Sequence, residues 1–121
     1  MNDDIRTKPV VWVGASRKDF DAFPAQVQAE MGYALYVAQR GGRHAQTKLL
    51  HGLGSGVVEV LKAHRGDAFR MIYTVRFASG VFVLHAFQKK SKSGISTPKT
   101  ELDTVLRRLR DAERIDMELR S

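Results

Sequence analysis

The sequence contains no cysteine, and it has only three prolines and one tryptophan among its 121 residues. The absence of cysteine excludes disulfide bonds, thiolate nucleophiles and cysteine-ligated metal sites. The four histidines are His44, His51, His64 and His85, and no two of them have the i, i+4 spacing by which one helix face binds a metal. We therefore expect neither a metal nor another cofactor.

Long hydrophobic runs are absent as well. No stretch approaches the roughly 20 apolar residues that a membrane-spanning helix needs. Residues 1–4 (MNDD) are acidic and are followed by no apolar core of a secretory signal. We therefore expect a cytoplasmic protein, and its length is typical of a single domain that covers residues 1–121.

The charge balance is strongly positive. Twenty lysines and arginines stand against thirteen aspartates and glutamates, which gives a net charge of +7. A basic surface concentrates polyanions around a protein, so this balance favours nucleic acid as a partner.

Hydrophobic periodicity predicts an α+β fold. Residues 43–56, rich in glycine, are typical of a loop, and Ser16 is a candidate N-cap. Short connections predict that the last three strands form an antiparallel meander, with a helical hairpin on one face and the other face at least partly open. The predicted strands are 8–13, 57–61, 68–77 and 81–87, and the predicted helices are a short one from Ser16, 25–39, and a C-terminal one from Thr97-Pro98 to about Glu118.

Basic side chains recur around the predicted meander. Alternation places Arg70 and Arg76 on one strand face, and an RNA-cleaving site needs such groups. Without a metal, the substrate's own 2′-hydroxyl can attack the neighbouring phosphate, arginine can bind the phosphate oxygens through its planar fork, and a lysine among other cations can transfer protons. The remaining basic candidates are Lys62 and Arg65 near a hairpin turn, and Lys89, Lys90 and Lys92 after the last strand.

Each candidate also has a purely structural interpretation. Arg70 fits a solvated strand position, and the lysines after the last strand fit a charged loop that protects a sheet edge. His85 and Tyr73 lie among apolar residues, which favours the core for both, and Glu59 favours a structural pairing with a cation. The residues alone therefore leave open an enzyme and a non-catalytic nucleic-acid-binding module.

Several segments resemble a known family when they are taken together. These are residues 52–59 (GLGSGVVE), 69–73 (FRMIY) and 83–90 (VLHAFQKK), followed by Thr97-Pro98. Their order and spacing resemble the phage-derived branch of the RelE/HigB-type toxins, within the RelE/ParE superfamily of bacterial toxin–antitoxin systems. The resemblance covers about residues 8–113. The chain has Glu59-Val60-Leu61 where many members have Glu-Leu-Arg, so one arginine of that pattern is missing.

The resemblance implies a helical hairpin packed on a small antiparallel sheet. It further implies an mRNA endoribonuclease, often acting on the ribosome, that is neutralised by an antitoxin with a helix-turn-helix domain. A ParE-like gyrase inhibitor without chemistry of its own remains an alternative on the same fold. By this resemblance and the charge pattern, Arg70 would stabilise transition-state charge, Lys89 or Lys90 would transfer a proton or bind phosphate, and the RNA backbone would be bound by Lys62, Arg65, Arg76 and Lys92.

Overall fold

A computed structural model describes residues 7–89 and 97–121 of the chain. It confirms the predicted α+β class, and one further strand, β2, lies inside the segment predicted to be a loop. In the described residues no helix combines the length and apolarity needed to cross a membrane. The elements are β1 (Val10–Trp12), α1 (Ser16–Asp21), α2 (Ala25–Gln39), β2 (Thr47–Leu49), β3 (Val57–His64), β4 (Asp67–Thr74), β5 (Val81–Lys89) and α3 (Lys99–Arg120).

The strands form one mixed sheet in the order β1-β5-β4-β3-β2. The predicted meander of β3, β4 and β5 is antiparallel throughout, whereas β1 runs parallel to β5, with Val10 opposite Val81. The turn between β3 and β4 has positive φ at Arg65 (52°) and Gly66 (86°), as a two-residue type I′ hairpin requires. The antiparallel prediction therefore holds for all pairings except the one made by the N-terminal strand.

Helices cover both faces of the sheet. One face, here called the hairpin face, packs against α1 and α2 through residues such as Met31, Met71 and Tyr73. The other, the α3 face, packs against Val105 and Leu109 of α3. The second face was expected to be at least partly open. The structure shows that α3 covers the apolar part of this face, because the apolar stripe of the helix packs on the apolar surface that the sheet supplies.

The α1 helix begins without a side-chain cap. Ser16 was the predicted cap, but it is the first helical residue, and its buried hydroxyl donates a hydrogen bond to the Val83 carbonyl of β5 at 3.1 Å. A buried hydroxyl must find an acceptor, and the nearby strand carbonyl satisfies it. Ser16 therefore ties α1 to the sheet.

Arg76 holds the glycine-rich loop that precedes β3. Its Nε donates to the Ser55 carbonyl at 2.8 Å, and its Nη2 donates to the Leu53 carbonyl. Gly54 has φ of 87°, and a Cβ at this position would lie 2.4 Å from Arg76 Nη2. The loop is therefore tightly turned around the guanidinium, as expected for a glycine-rich turn.

The C-terminal part of α3 is fastened to the β4–β5 connection. Asp116 is almost fully buried and accepts hydrogen bonds from the Ser79 amide at 3.0 Å, the Ser79 hydroxyl at 2.5 Å and Arg120 Nε at 3.0 Å. The Ser79 hydroxyl is the largest cause that lowers the pKa of Asp116, and the Ser79 amide and Arg120 lower it further against the opposing effect of burial.

This contact predicts an acid-sensitive component of stability. Because the folded state favours the ionised carboxylate, its contribution is complete above the ordinary aspartate pKa of about 3.9 and is lost as the pH falls through the lower folded value. As the pH is lowered from 5 into the acid range, we expect the free energy of unfolding of Asp116→Asn to fall less than that of the wild type. Denaturant titration at each pH measures this difference. Asp103→Asn, on the exposed side of the same helix, is the matched control and should follow wild type. Identical acid profiles for wild type and Asp116→Asn would contradict the role given to this contact.

Candidate functional site

A buried ion pair lies on the α3 face, near the N-terminal end of α3. Glu59 of β3 and Arg70 of β4 are 1% and 2% exposed, and Arg70 Nη1 donates to Glu59 Oε2 at 3.0 Å. The hydroxyl of Thr97 donates to the same carboxylate oxygen at 2.8 Å, and Lys48 Nζ of β2 lies 3.5 Å from the other oxygen. The glutamate, the strand arginine and the threonine of the recognised motifs therefore meet in one hydrogen-bonded cluster.

The register of the sheet explains this meeting. Arg70 lies opposite Leu61 on β3 and Phe87 on β5, and Glu59 lies opposite Lys48 on β2. The apolar residues that α3 buries fully begin only at Val105, so the sheet surface beside the start of the helix is left to polar side chains.

His85 and Glu101 form a second polar pair on the same face. His85 Nε2 lies 2.5 Å from Glu101 Oε1, and Arg108 Nη1 lies 3.4 Å from the other ring nitrogen. The imidazole stacks on Phe87, with ring centroids 4.8 Å apart. Burial is the largest cause that lowers the pKa of Arg108, and neighbouring Arg107 adds to the effect. The prediction that His85 is packed in the interior is confirmed, and the sequence did not reveal its carboxylate partner.

Lys89 extends this face toward the sheet end. It lies opposite Ala68, so its side chain is on the same side of the sheet as Arg70 and Phe87, one position further along. Lys89 is partly buried. The sheet therefore brings two of the predicted catalytic residues onto one face, whereas Lys90 and Lys92 lie outside the described residues.

The other predicted RNA-binding residues are distributed around the molecule. Lys62 lies opposite Phe69 on the hairpin face, where its ammonium pairs with Glu30 of α2 at 3.4 Å and with the Gln46 side chain. Arg76 lies beyond the far end of β4 and holds the glycine-rich loop. Arg65 occupies the turn at the Lys89 end of the sheet and is exposed.

Two expectations about these residues are therefore wrong. Arg70 is not exposed, because Glu59 lies on the neighbouring strand and the same face, two positions along, and accepts a hydrogen bond from the buried guanidinium. Lys62 and Arg76 do not share a surface with Arg70: alternation turns Lys62 to the opposite face, and β4 ends before residue 76.

The remaining arrangement combines positive and negative groups. Lys48, Arg70 and Lys89 supply cations on one face, and Glu59 and Glu101 supply carboxylates. Within residues 7–89 and 97–121, no group of three or more histidine, aspartate or glutamate side chains could hold a metal ion. The chemistry available from these side chains is anion binding and proton transfer.

Comparison with known proteins identifies the family. Residues 18–110 match the family described as phage derived protein Gp49-like (DUF891). The chain belongs to this Gp49-like family. The match confirms the phage-derived resemblance that the sequence motifs indicate.

A solved structure offers a further comparison for this Gp49-like chain. A chain in the crystal structure of the toxin–antitoxin complex RelBE2 from Mycobacterium tuberculosis is similar, with 18% sequence identity and a TM-score of 0.45. The similarity covers 74% of the Gp49-like chain and 100% of the other. No curated protein matches the sequence significantly.

Four site residues were missed or misinterpreted from the sequence. Lys48 belongs to β2, which the sequence pattern hides in a loop. Thr97 was predicted to begin α3, but Pro98 holds the N-cap position, and the threonine hydroxyl donates a hydrogen bond to Glu59 instead. Glu101 and Arg108 were not recognised as partners of His85. They are seven residues apart, which places them on one face of the helix, and this spacing was the signal in the sequence for a shared partner.

Proposed function

We propose that this Gp49-like chain is the toxin of a type II toxin–antitoxin pair and that it cleaves mRNA without a metal ion. The observation that supports this proposal best is the location of Arg70 and Lys89 on one sheet face, beside the carboxylates of Glu59 and Glu101. Family membership supports it independently. The protein would act in the cytoplasm, on mRNA bound to the ribosome, until an antitoxin with a helix-turn-helix domain neutralises it.

The chemistry uses the substrate as its own nucleophile. The 2′-hydroxyl of the RNA attacks the adjacent phosphorus, and negative charge accumulates on the phosphate oxygens before the 5′-oxygen leaves. Ammonium and guanidinium groups stabilise such charge more in the transition state than in the ground state. DNA would be resistant, because it lacks the 2′-hydroxyl.

The residues receive the following roles in this proposal. Lys89 binds the scissile phosphate and provides the proton for the leaving oxygen, and Lys90 is the second candidate for that role. Arg65, at the same end of the sheet, and Lys92 bind the RNA backbone. Arg70 contributes positive charge from beneath the surface and orients Glu59 and Thr97, because its Nη1 bonds both side chains.

Expression of the chain in bacterial cells tests the activity. We expect growth inhibition and new mRNA 5′ ends with the wild type, and a loss of these ends by a factor of about 10²–10³ with Lys89→Ala, as for removal of one transition-state donor. The measurement is genome-wide mapping of 5′-hydroxyl RNA ends. Lys99→Ala removes an equally charged side chain that is 87% exposed and pairs with Asp103, so it should behave as wild type.

Specific outcomes would contradict the proposal. Growth inhibition with intact mRNA and broken DNA would favour the gyrase-inhibitor alternative. Cleavage of a ribosome-bound mRNA whose 2′-hydroxyls are replaced by hydrogen would refute the proposed nucleophile.

A further inference from the structure

We propose that Glu101 is the base that removes the proton from the RNA 2′-hydroxyl, and that His85 and Arg108 are positioning residues that hold it. This inference rests on the proposed ribonuclease function and adds the group that the basic residues do not provide. A site built from lysine and arginine alone has donors in abundance, but it needs one acceptor for the hydroxyl proton.

The direction of the hydrogen bonds follows from Arg108. A guanidinium can only donate, so Arg108 Nη1 at 3.4 Å makes His85 Nδ1 the acceptor. The ring proton then resides on Nε2, which donates to Glu101 Oε1 at 2.5 Å. Arg108 is fixed in turn, because the same Nη1 donates to the Leu84 carbonyl of β5 at 2.9 Å. The histidine tautomer and the carboxylate orientation are thus set by one chain of contacts.

Exposure distinguishes the roles of the two partners. The side chain of His85 is 9% exposed and that of Glu101 is 30% exposed. The imidazole has Phe87 stacked on it, and its two nitrogens face Glu101 and Arg108. Glu101 is therefore the member of the pair that a substrate can reach, and His85 is the member that orients it.

The positions of Glu101 and Lys89 suit opposite ends of the reaction. In this displacement the attacking and leaving oxygens lie roughly in line across the phosphorus, so the base and the acid must stand on either side of the phosphate. On β5, His85 and Lys89 flank Phe87 on the same face of the sheet. Glu101 is held at the His85 side, so Glu101 and Lys89 lie on opposite sides of the partly buried Phe87 along β5. In the proposed site the Phe87 ring provides a surface on which a base of the RNA can stack.

The proposed step is balanced in atoms and charge. The 2′-hydroxyl proton passes to the Glu101 carboxylate as the bond from O2′ to phosphorus forms. The bond from phosphorus to O5′ breaks, and O5′ receives a proton from the Lys89 ammonium. The products are a 2′,3′-cyclic phosphate and a 5′-hydroxyl, and no oxidant, reductant or metal is consumed.

Charged groups from each neighbouring element surround the pair formed by His85 and Glu101. From α1, Asp19 lines a cleft of about 360 Å³ together with His85. From α3, Arg108 contacts the ring, and from the sheet Arg70 and Lys89 occupy the adjoining positions of the same face. The carboxylate of Glu101 is therefore set among three cations and two further carboxylates, those of Asp19 and Glu59.

A cleavage assay with altered leaving groups separates the base from the acid. Single-turnover rates are measured for purified protein on ribosome-bound mRNA, with either the natural oxygen or sulfur at the 5′ position of the scissile bond. We expect Glu101→Gln and Lys89→Ala each to slow cleavage of the natural substrate by about 10²–10⁴-fold. A thiolate leaves without protonation, so sulfur should restore the part of the Lys89→Ala rate that depends on protonation of the leaving group, and it should leave Glu101→Gln slow.

The positioning role of His85 has its own readout. His85→Gln retains an N–H donor and should recover part of the rate, whereas His85→Leu should not. The Glu101→Gln substitution should also abolish the increase in cleavage rate that the wild type shows as the pH is raised through the acidic range. Asp103→Asn, in the same helix and away from His85, is the control, and denaturant unfolding establishes that each variant is folded.

The outcomes for the two proposals are distinguishable. If the wild type leaves the mRNA intact, the ribonuclease function itself is refuted. If the wild type cleaves and folded Glu101→Gln cleaves equally fast with the same pH profile, only the assignment of the base is refuted. Rescue of Glu101→Gln by sulfur would assign Glu101 to the leaving group and would also overturn the inference.

Discussion

Replacing Arg70 with methionine is expected to lower the free energy of unfolding by about 3–5 kcal/mol. The substitution leaves the Glu59 carboxylate, 1% exposed, without its closest cation. Breaking a buried pair from one side costs this much because the remaining charge stays desolvated and uncompensated. Lys48, whose Nζ is 3.5 Å from the other carboxylate oxygen, is half exposed and reduces the cost only in part.

Denaturant titration of four proteins measures the interaction free energy between Arg70 and Glu59. The proteins are wild type, Arg70→Met, Glu59→Leu and the double variant, which together form a double-mutant cycle. We expect the double variant to be more stable than the sum of the single losses predicts, because two apolar side chains can replace a buried ion pair at little cost. Additive losses would show that the two groups act independently and would contradict this account.

An exposed ion pair provides the matched control. Arg17→Met removes a cation that lies 3.4 Å from Asp21 across one turn of α1, where both side chains are more than half exposed. Exposed pairs of this kind contribute about 0–1 kcal/mol. The contrast also affects activity tests. Loss of toxicity in Arg70→Ala would not separate a role in the site from unfolding, whereas Lys89 is only partly buried and is the better residue for testing activity.

Replacing Leu109 with alanine is expected to reduce the free energy of unfolding by about 2–5 kcal/mol. Leu109 is 6% exposed and packs in the cluster that joins α3 to the sheet. The cost combines the lost burial of its side chain with the cavity that remains.

Leu106 is the matched control on the same helix. It has the same side chain, is 39% exposed and precedes Leu109 by less than one turn, so Leu106→Ala should cost below about 1 kcal/mol. Denaturant unfolding of both variants tests whether α3 is an integral part of the fold. Equal and small losses would indicate that the helix adds little to the stability of the sheet, contrary to the packing described.

Regular periodicity made most of the fold predictable from the sequence. The α2 prediction matches its observed bounds, and α3 begins within two residues of the predicted start. Strand β2 was not predictable in the same way. It contains only three residues, one of them the charged Lys48, and it exists because β3 offers an edge to pair with.

The candidate site was only partly predictable for a different reason. Alternation along β4 and β5 places Arg70 and Lys89 on one face once the register between the strands is known, but it cannot reveal that Glu59 binds Arg70 in the interior. The opposite orientation of Lys62 follows from the same alternation, since it is separated from Glu59 by an odd number of positions. The pairing of His85 with Glu101 depends on how α3 crosses the sheet, which no local pattern encodes.

The buried cluster at Glu59 also determines when the chain can complete its fold and its candidate site during synthesis. Its members come from β2, β3, β4 and the segment just before α3, and Thr97 and the helix that starts at Lys99 are made after the three strands. β1 likewise cannot pair before β5 exists, because Val10 must find Val81 across most of the polypeptide. A ribosome that stalls before α3 would therefore release a fragment with its cations but without Glu101 or Thr97, and under the proposed mechanism that fragment would be harmless to the cell that makes it.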